Sequence, residues 1–224
     1  MIYKNMGMRV LSSTVLLAVS LCIYATSFAH GEAGHIAPSN AVASISPSAI
    51  QVVKHLDAGL LTIMKAGKSA GYRGRYRLIR PIVVTSFDIP FIARTVVGPY
   101  WSKFSAAQKQ TLIDKLLDLT VANYAGQFTR FSGEAFTGLD EQQYRFFLVV
   151  RTLFVESDGT RHKFDYLLHE VNDHWLIMNV VADGVSNLSL KQAQYIEILN
   201  KEGFKGLINH ITHDILTLEH SGEK

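Results

Sequence analysis

The feature that most limits the fold of this chain is a change of hydrophobic period at Gly133. Before it, apolar residues recur at helical spacing; after it, they alternate. Upstream, Ser46-Pro47 reads as the N-cap and first residue of a helix to about Lys65, with Ile50, Val53, Leu56, Leu60, Leu61 and Met64 on one stripe. A second helix is expected over Tyr72 to Ser86, kinked or split at Pro81. A short third runs from an Asp88 cap to Gly98. Ser105 with Gln108 forms a capping box that opens the longest helix, to about Arg130. Its stripe is Leu112, Ile113, Leu116, Leu117, Val121, Tyr124 and Phe128.

Downstream of Gly133 four strands are expected: Glu134 to Leu139, Gln143 to Glu156, Arg161 to Glu170 and His174 to Val181. Asp158-Gly159 marks a hairpin turn and Asn172-Asp173 the next one. In the third strand Phe164, Tyr166 and Leu168 face inward. The second strand is apolar on both faces from Phe146 to Val150. Helix returns over Leu190 to Lys201, breaks at Gly203, and resumes over Phe204 to Leu218. Helices segregated from an antiparallel sheet define an α+β fold, with helices covering one face of the sheet.

The first 29 residues read as an address. Lys4 and Arg9 precede an apolar run from Val10 to Phe28, and Ser27-Phe28-Ala29 supplies small residues before a cleavage point at His30. That is a secretory signal peptide; Ser12, Ser13, Thr14 and Ser20 thin the run below what an anchor helix wants. Cys22, the only cysteine, leaves with it, and Leu21 does not suit a lipobox. Residues 30–46, rich in Gly, Ala, Ser and Pro, read as a disordered leader, and 47–220 as one domain. The exported product is expected in the periplasm, without a stable membrane anchor.

The chain carries 22 basic and 19 acidic residues, a formal charge of +3. Both excess bases of the first segment leave with the signal, so the remainder is near neutral and has no basic run to track phosphates. Nucleic acid is therefore not an expected partner. His210 and His213 share a helix face without a third ligand, and His30 with His35 lies in the leader, so no metal or cofactor is expected. His162, His169 and His174 flank turns and read as surface residues. No nucleophile elbow or phosphate loop occurs, and no catalytic residue is assigned. What remains is a surplus of apolar and aromatic side chains. Periodicity does not separate a filled core from one left open for an apolar ligand.

Several stretches in order resemble a known family. Phe87-Asp88-Ile89-Pro90-Phe91-Ile92-Ala93-Arg94-Thr95-Val96-Val97-Gly98-Pro99-Tyr100-Trp101 is similar to the F-D-x-x-x-I-A-R-x-V-L-G-x-Y-W stretch of the MlaC-type periplasmic lipid-binding family. Ser105 to Gln108, Thr120 to Ala125, the block from His174 to Ser186 and Tyr195 to Leu207 resemble its later motifs. Tyr72-Arg73-Gly74-Arg75-Tyr76 and Phe91 look closer to its hopanoid-associated HpnM branch. Asn179 departs from the family pattern, which has Asp there.

The resemblance implies helices packed on one curved four-stranded antiparallel sheet enclosing an apolar cavity. It implies no enzyme, but a carrier for a phospholipid or hopanoid-type lipid, handed between membrane-bound components of an ABC lipid-transport system. From the helices, Val83, Phe87, Ile92, Val96, Leu116, Tyr124 and Phe128 are expected to line that cavity. From the sheet, Phe146, Leu148, Val150, Phe164, Tyr166, Leu168, Trp175 and Ile177 join them. Arg94 belongs to the mouth, either on a lipid head group or capping a carboxylate such as Asp88. Two rivals stay open: an envelope enzyme acting on a lipid or isoprenoid through Asp165 or His169, and an adaptor with a filled core.

Overall fold

The computed structural model describes residues 47–223; the expected signal peptide, the leader with His30 and His35, Cys22 and the proposed cap Ser46 lie outside them. Helix α1 (Ala49–Ser86) is capped by Ser48, whose hydroxyl accepts from Gln51 N while the Gln51 side chain accepts from Ser48 N. The cap thus falls two residues later than Ser46-Pro47 suggests, because the reciprocal box needs Gln51 three residues on. Val53, Leu56, Leu60 and Met64 of the expected stripe are buried, together with Val52 and Ile63.

Pro81 does not break α1. The non-helical backbone lies at Gly67 (φ 52°, ψ −143°) and Gly71 (φ 60°, ψ 179°). Proline already has a helical φ and costs a hydrogen bond, whereas a left-handed φ redirects the chain and is open to glycine. The element folds back there, so that a Cβ on Gly59 would collide with Ile82 Cδ1. The two arms touch where no side chain fits.

Phe87 leaves the helix as an isolated parallel bridge to Ile177, and Asp88 N donates to Ile177 O at 3.0 Å. Helix α2 (Ile89–Val97) follows, capped by Asp88 Oδ1 on Phe91 N at 2.8 Å. A 3-10 turn (Gly98–Lys103) leads to α3 (Ala106–Gln127), opened by the expected Ser105/Gln108 capping box.

The sheet has five strands in sequential antiparallel order: β1 (Ala135–Gln143), β2 (Leu148–Val155), β3 (Arg161–Val171), β4 (His174–Ala182) and β5 (Val185–Ser186). The expected count was four. β5 is two residues long and pairs with β4 through the turn at Asp183-Gly184, too short to show as periodicity. The second correction concerns β2. It begins at Leu148, not Gln143, because residues 144–147 form a hairpin turn closed by Tyr144 N donating to Phe147 O at 2.8 Å. Gln143 belongs to β1. β2 and β3 pair in a continuous register, with Val150 opposite Tyr166 and Thr152 opposite Phe164. Phe164, Tyr166 and Leu168 are buried, as their alternation requires.

Helix α4 (Asn187–Gly222) is interrupted at Gly203 (φ 67°), the expected break, and Gln194 Nε2 meets His210 Nε2 at 2.8 Å across the fold-back. His210 is thus engaged with an amide. Among the described residues no group of three or more His, Cys, Asp or Glu could hold a metal ion. α1 rests on β1, β2 and β4, α3 packs on α1 and α4, and α2 is held between α3, α4 and β4.

Asn179 has a structural task at the entry to α4. Its Oδ1 accepts from Leu188 N at 3.3 Å, and its Nδ2 donates to Ser186 Oγ at 3.0 Å. Ser186 Oγ in turn accepts from Ser189 N at 3.2 Å. Two of the first free amides of α4 are satisfied from this pair. Asn179→Ala is expected to cost about 1–2 kcal/mol, the range of a lost helix cap, measured by denaturant unfolding. Asn179→Asp should retain most of that stability, since a carboxylate accepts the same bond at a helix N-terminus.

Candidate functional site: the layer between helices and sheet

The inward face of the sheet and the underside of α1–α3 meet in a run of aromatic contacts. Phe87, at the end of α1, lies 6.1 Å from Tyr124 of α3, centroid to centroid; Tyr124 lies 6.0 Å from Phe128. Phe128 meets Phe154 of β2 edge-on at 5.8 Å. Phe154 contacts Phe136 of β1 at 5.0 Å, Phe136 contacts Phe164 of β3 at 6.4 Å, and Phe164 stacks on Tyr166 at 6.1 Å. Tyr166 Oη then donates to Asp57 Oδ1 of α1 at 3.2 Å. The run thus starts and ends on α1, passing through α3 and three strands.

Of the expected lining residues, Val83, Phe87, Val96, Leu116, Phe128, Leu148, Val150, Phe164, Tyr166, Leu168 and Ile177 are buried in this layer. Ile92, Tyr124 and Trp175 are half-buried. Phe146 is a correction: it is 77% exposed, at the tip of the β1–β2 turn. Two-faced apolarity at Phe146-Phe147 looked like a strand running into the core, but the chain turns there. Arg94 is exposed, and its guanidinium lies over the Phe91 ring at 5.6 Å. It does not cap Asp88. Asp88 Oδ2 is taken by His169 Nε2 at 2.9 Å, and the His169 ring meets Phe91 edge-on at 4.9 Å. His169 is therefore a half-buried junction between β3 and α2, not a surface residue. His162 likewise sits between Glu156 and Asp183, at 2.9 Å from each, while His174 is exposed.

The enclosed cavity expected here is not seen. A side chain lining an open cavity keeps accessible surface, and Val83, Val150, Leu168 and Ile177 keep 0%. These four have no open space beside them, while Ile92, Tyr124 and Trp175 of the same set keep partial exposure. A cavity of about 440 Å³ lies elsewhere, between α1, α3 and α4, over Tyr72, Tyr76, Ile215 and Leu216, and none of the expected lining residues borders it.

Two polar groups within the layer were missed in the sequence. Asp57 is 5% exposed, and burial pushes its carboxyl up to about 7, against the smaller opposing effect of the Tyr166 hydroxyl. Its signal was present: Asp57 follows Val53 by four and precedes Leu60 by three, on the apolar stripe itself. Thr152, between Val150 and Phe154 on the inward side of β2, buries a hydroxyl with no protein partner among the described residues. Phe136 was also missed, because the burial of β1 does not alternate.

Asp165 and His169, which the enzyme rival would use, each have a charged or polar partner. Asp165 lies among β-sheet cations, with Lys163 Nζ at 3.1 Å and Arg151 Nε at 3.6 Å. His169 is committed to Asp88.

Helices on one face of an open five-stranded antiparallel sheet, with aromatic contacts between the two, define an α+β domain. The MlaC protein family model matches residues 54–213, and the chain belongs to that family. Among solved structures it is similar to a phospholipid-binding protein from Ralstonia solanacearum, determined in complex with a phospholipid. The two share 19% identity and a TM-score of 0.65, over 77% of this chain and 99% of that one. At that identity the likeness establishes the shared fold.

Proposed function

We propose that this protein is a periplasmic lipid carrier. It takes up a phospholipid or hopanoid-type lipid and passes it between membrane-bound components of an ABC lipid-transport system. Membership of the MlaC family over residues 54–213 carries this reading. The fold likeness to a protein solved with a phospholipid supports it, as does the signal-like segment 1–29, which would direct export.

The physics of the layer suits such cargo. Each lipid CH₂ moved out of water gains ~0.8 kcal/mol, without directed bonds. An aromatic and aliphatic layer provides that surface and leaves the head group outside. The state described above is then the empty carrier. Loading parts α1–α3 from the sheet, and the aromatic contacts exchange ring partners for acyl or ring-system carbons. Arg94, exposed with its guanidinium over the Phe91 ring, would be the residue to meet a head group.

The full burial of Val83, Val150, Leu168 and Ile177 also favours a second reading, an adaptor that binds only proteins. Native mass spectrometry of protein prepared from periplasm without detergent, with lipid extraction, separates them. The carrier is expected to show a stoichiometric lipid mass whose fragments identify phospholipid or hopanoid. A uniform apo mass that stays apo after incubation with lipid vesicles refutes the carrier.

A further inference from the structure

The β1–β2 hairpin ends in four residues, Tyr144-Arg145-Phe146-Phe147, that the lipid-binding layer does not use. Phe146 is 77% exposed, more than any other large apolar side chain described. Tyr144, in the same turn, is exposed as well, at 38%. Large apolar side chains are usual on surfaces singly, not as a cluster at a projecting tip.

The tip is held rigidly. Tyr144 N donates to Phe147 O at 2.8 Å, and the Gln143 side chain donates to Tyr144 O at 2.6 Å and to Phe147 O at 3.3 Å. The Tyr144 and Phe147 rings stack at 4.9 Å with planes 12° apart. Phe146 is thereby presented outward rather than folded over the sheet. Arg145 places its guanidinium 4.8 Å from the centre of the Phe146 ring. Its charge therefore travels with the apolar tip, while Arg151, behind the tip, is engaged by Asp140 and Gln142.

We infer that this hairpin tip docks the protein onto a phospholipid membrane surface. A stiff turn carrying an exposed Phe and an exposed Tyr fits the interfacial zone of a bilayer, where Tyr concentrates and Phe inserts as part of the apolar face of interfacial segments. Arg145 completes the fit. A guanidinium over Phe146 reaches lipid phosphates at the depth where the ring is buried, and bonds them in pairs. A concave protein pocket would also accept a ring, but the charge carried with the ring favours a phosphate-bearing surface.

The inference does not require the carrier reading, and it fails separately. The test is co-sedimentation of the purified protein with protein-free vesicles of phosphatidylethanolamine and phosphatidylglycerol, 3:1, at low and physiological salt. The parent chain is expected to partition onto the vesicles. Phe146→Ser should lower the partition coefficient about tenfold, and Phe146→Trp should hold or raise it. Arg145→Ser should weaken it and remove most of its dependence on phosphatidylglycerol. Val84→Ser, which removes a half-exposed apolar side chain of α1, should leave binding as it was. Thermal melts accompany each variant, and Phe146→Ser is expected to melt with the parent. The inference is overturned if the parent ignores protein-free vesicles, which would assign the tip to a protein pocket. It is equally overturned if Phe146→Ser binds like the parent, or if Val84→Ser loses as much.

Discussion

Replacing Arg75 by methionine is expected to destabilise the domain by roughly 3–5 kcal/mol, the largest effect of any single substitution considered. Arg75 is 1% exposed and, among the described residues, forms no salt bridge with a carboxylate. Instead its guanidinium donates to three backbone carbonyls: Nη1 to Gly67 O at 2.8 Å, Nε to Ala125 O at 2.9 Å and Nη2 to Gly222 O at 2.6 Å. Each carbonyl closes a helical segment. Gly67 stands where the first arm of α1 breaks, Ala125 in the last turn of α3, and Gly222 at the end of α4. Helix C-termini carry unsatisfied carbonyls and the negative end of the helix dipole, so three of them together form an anionic pocket without an acid. Methionine fills the volume but leaves three acceptors buried and unbonded, at about 1–3 kcal/mol each before relaxation. A fall in the thermal midpoint of roughly 10–15 °C is the expected reading, at about 2–4 °C per kcal/mol for a domain of this size. Arg75→Lys should recover little, because one ammonium lacks the planar fork that reaches three directions. A lysine variant as stable as the parent would show that charge alone, not the fork, holds the three ends.

Asp57→Asn is expected to make the protein more stable above neutral pH and to flatten its pH dependence. The sign follows from the direction of the shift. Burial raises the folded carboxyl to about 7 from an unfolded value near 3.8. Between those values the folded state holds a proton that the unfolded state has released, so stability falls as pH rises through that window. Below it both states are protonated and nothing is lost; above it the full cost stands, on the order of 4 kcal/mol by the difference of about three pH units. Asparagine keeps an acceptor for the Tyr166 hydroxyl and carries no charge to bury. Urea unfolding of both proteins from pH 4 to 9 should show the parent losing stability over this range and the variant holding level. Parallel curves would place the titration elsewhere. The same variant bears on the enzyme rival, since Asp57 is a buried carboxyl within the layer. As a carrier, the Asp57→Asn variant should still load lipid.

Much of the architecture was legible because local rules do not need the rest of the molecule. Ser105 and Gln108 mark the start of α3 since both halves of a capping box lie within four residues. The alternation of Phe164, Tyr166 and Leu168 states which face of β3 is inward, and Gly203 marks the break in α4. The errors fall where two local signals compete. The break expected between Lys65 and Tyr72 falls at Gly67 and Gly71, but the kink expected at Pro81 does not form, because proline's φ is already helical. Phe146-Phe147 continues an apolar run, and only closure of the Tyr144–Phe147 turn excludes it from β2.

The family, the α+β order and the inward face of β3 could be read along the chain, because period, caps and motif order are properties of neighbours in sequence. Tertiary structure alone decided that Arg75 binds three helix ends, that Asp88 pairs with His169 rather than Arg94, and that Asp57 reaches Tyr166. Apart from Arg75 to Gly67, eight residues away, these contacts join residues about 50 to 150 positions apart. Their partners are chosen by which polar groups burial leaves unsatisfied, and that is defined only once the elements have packed.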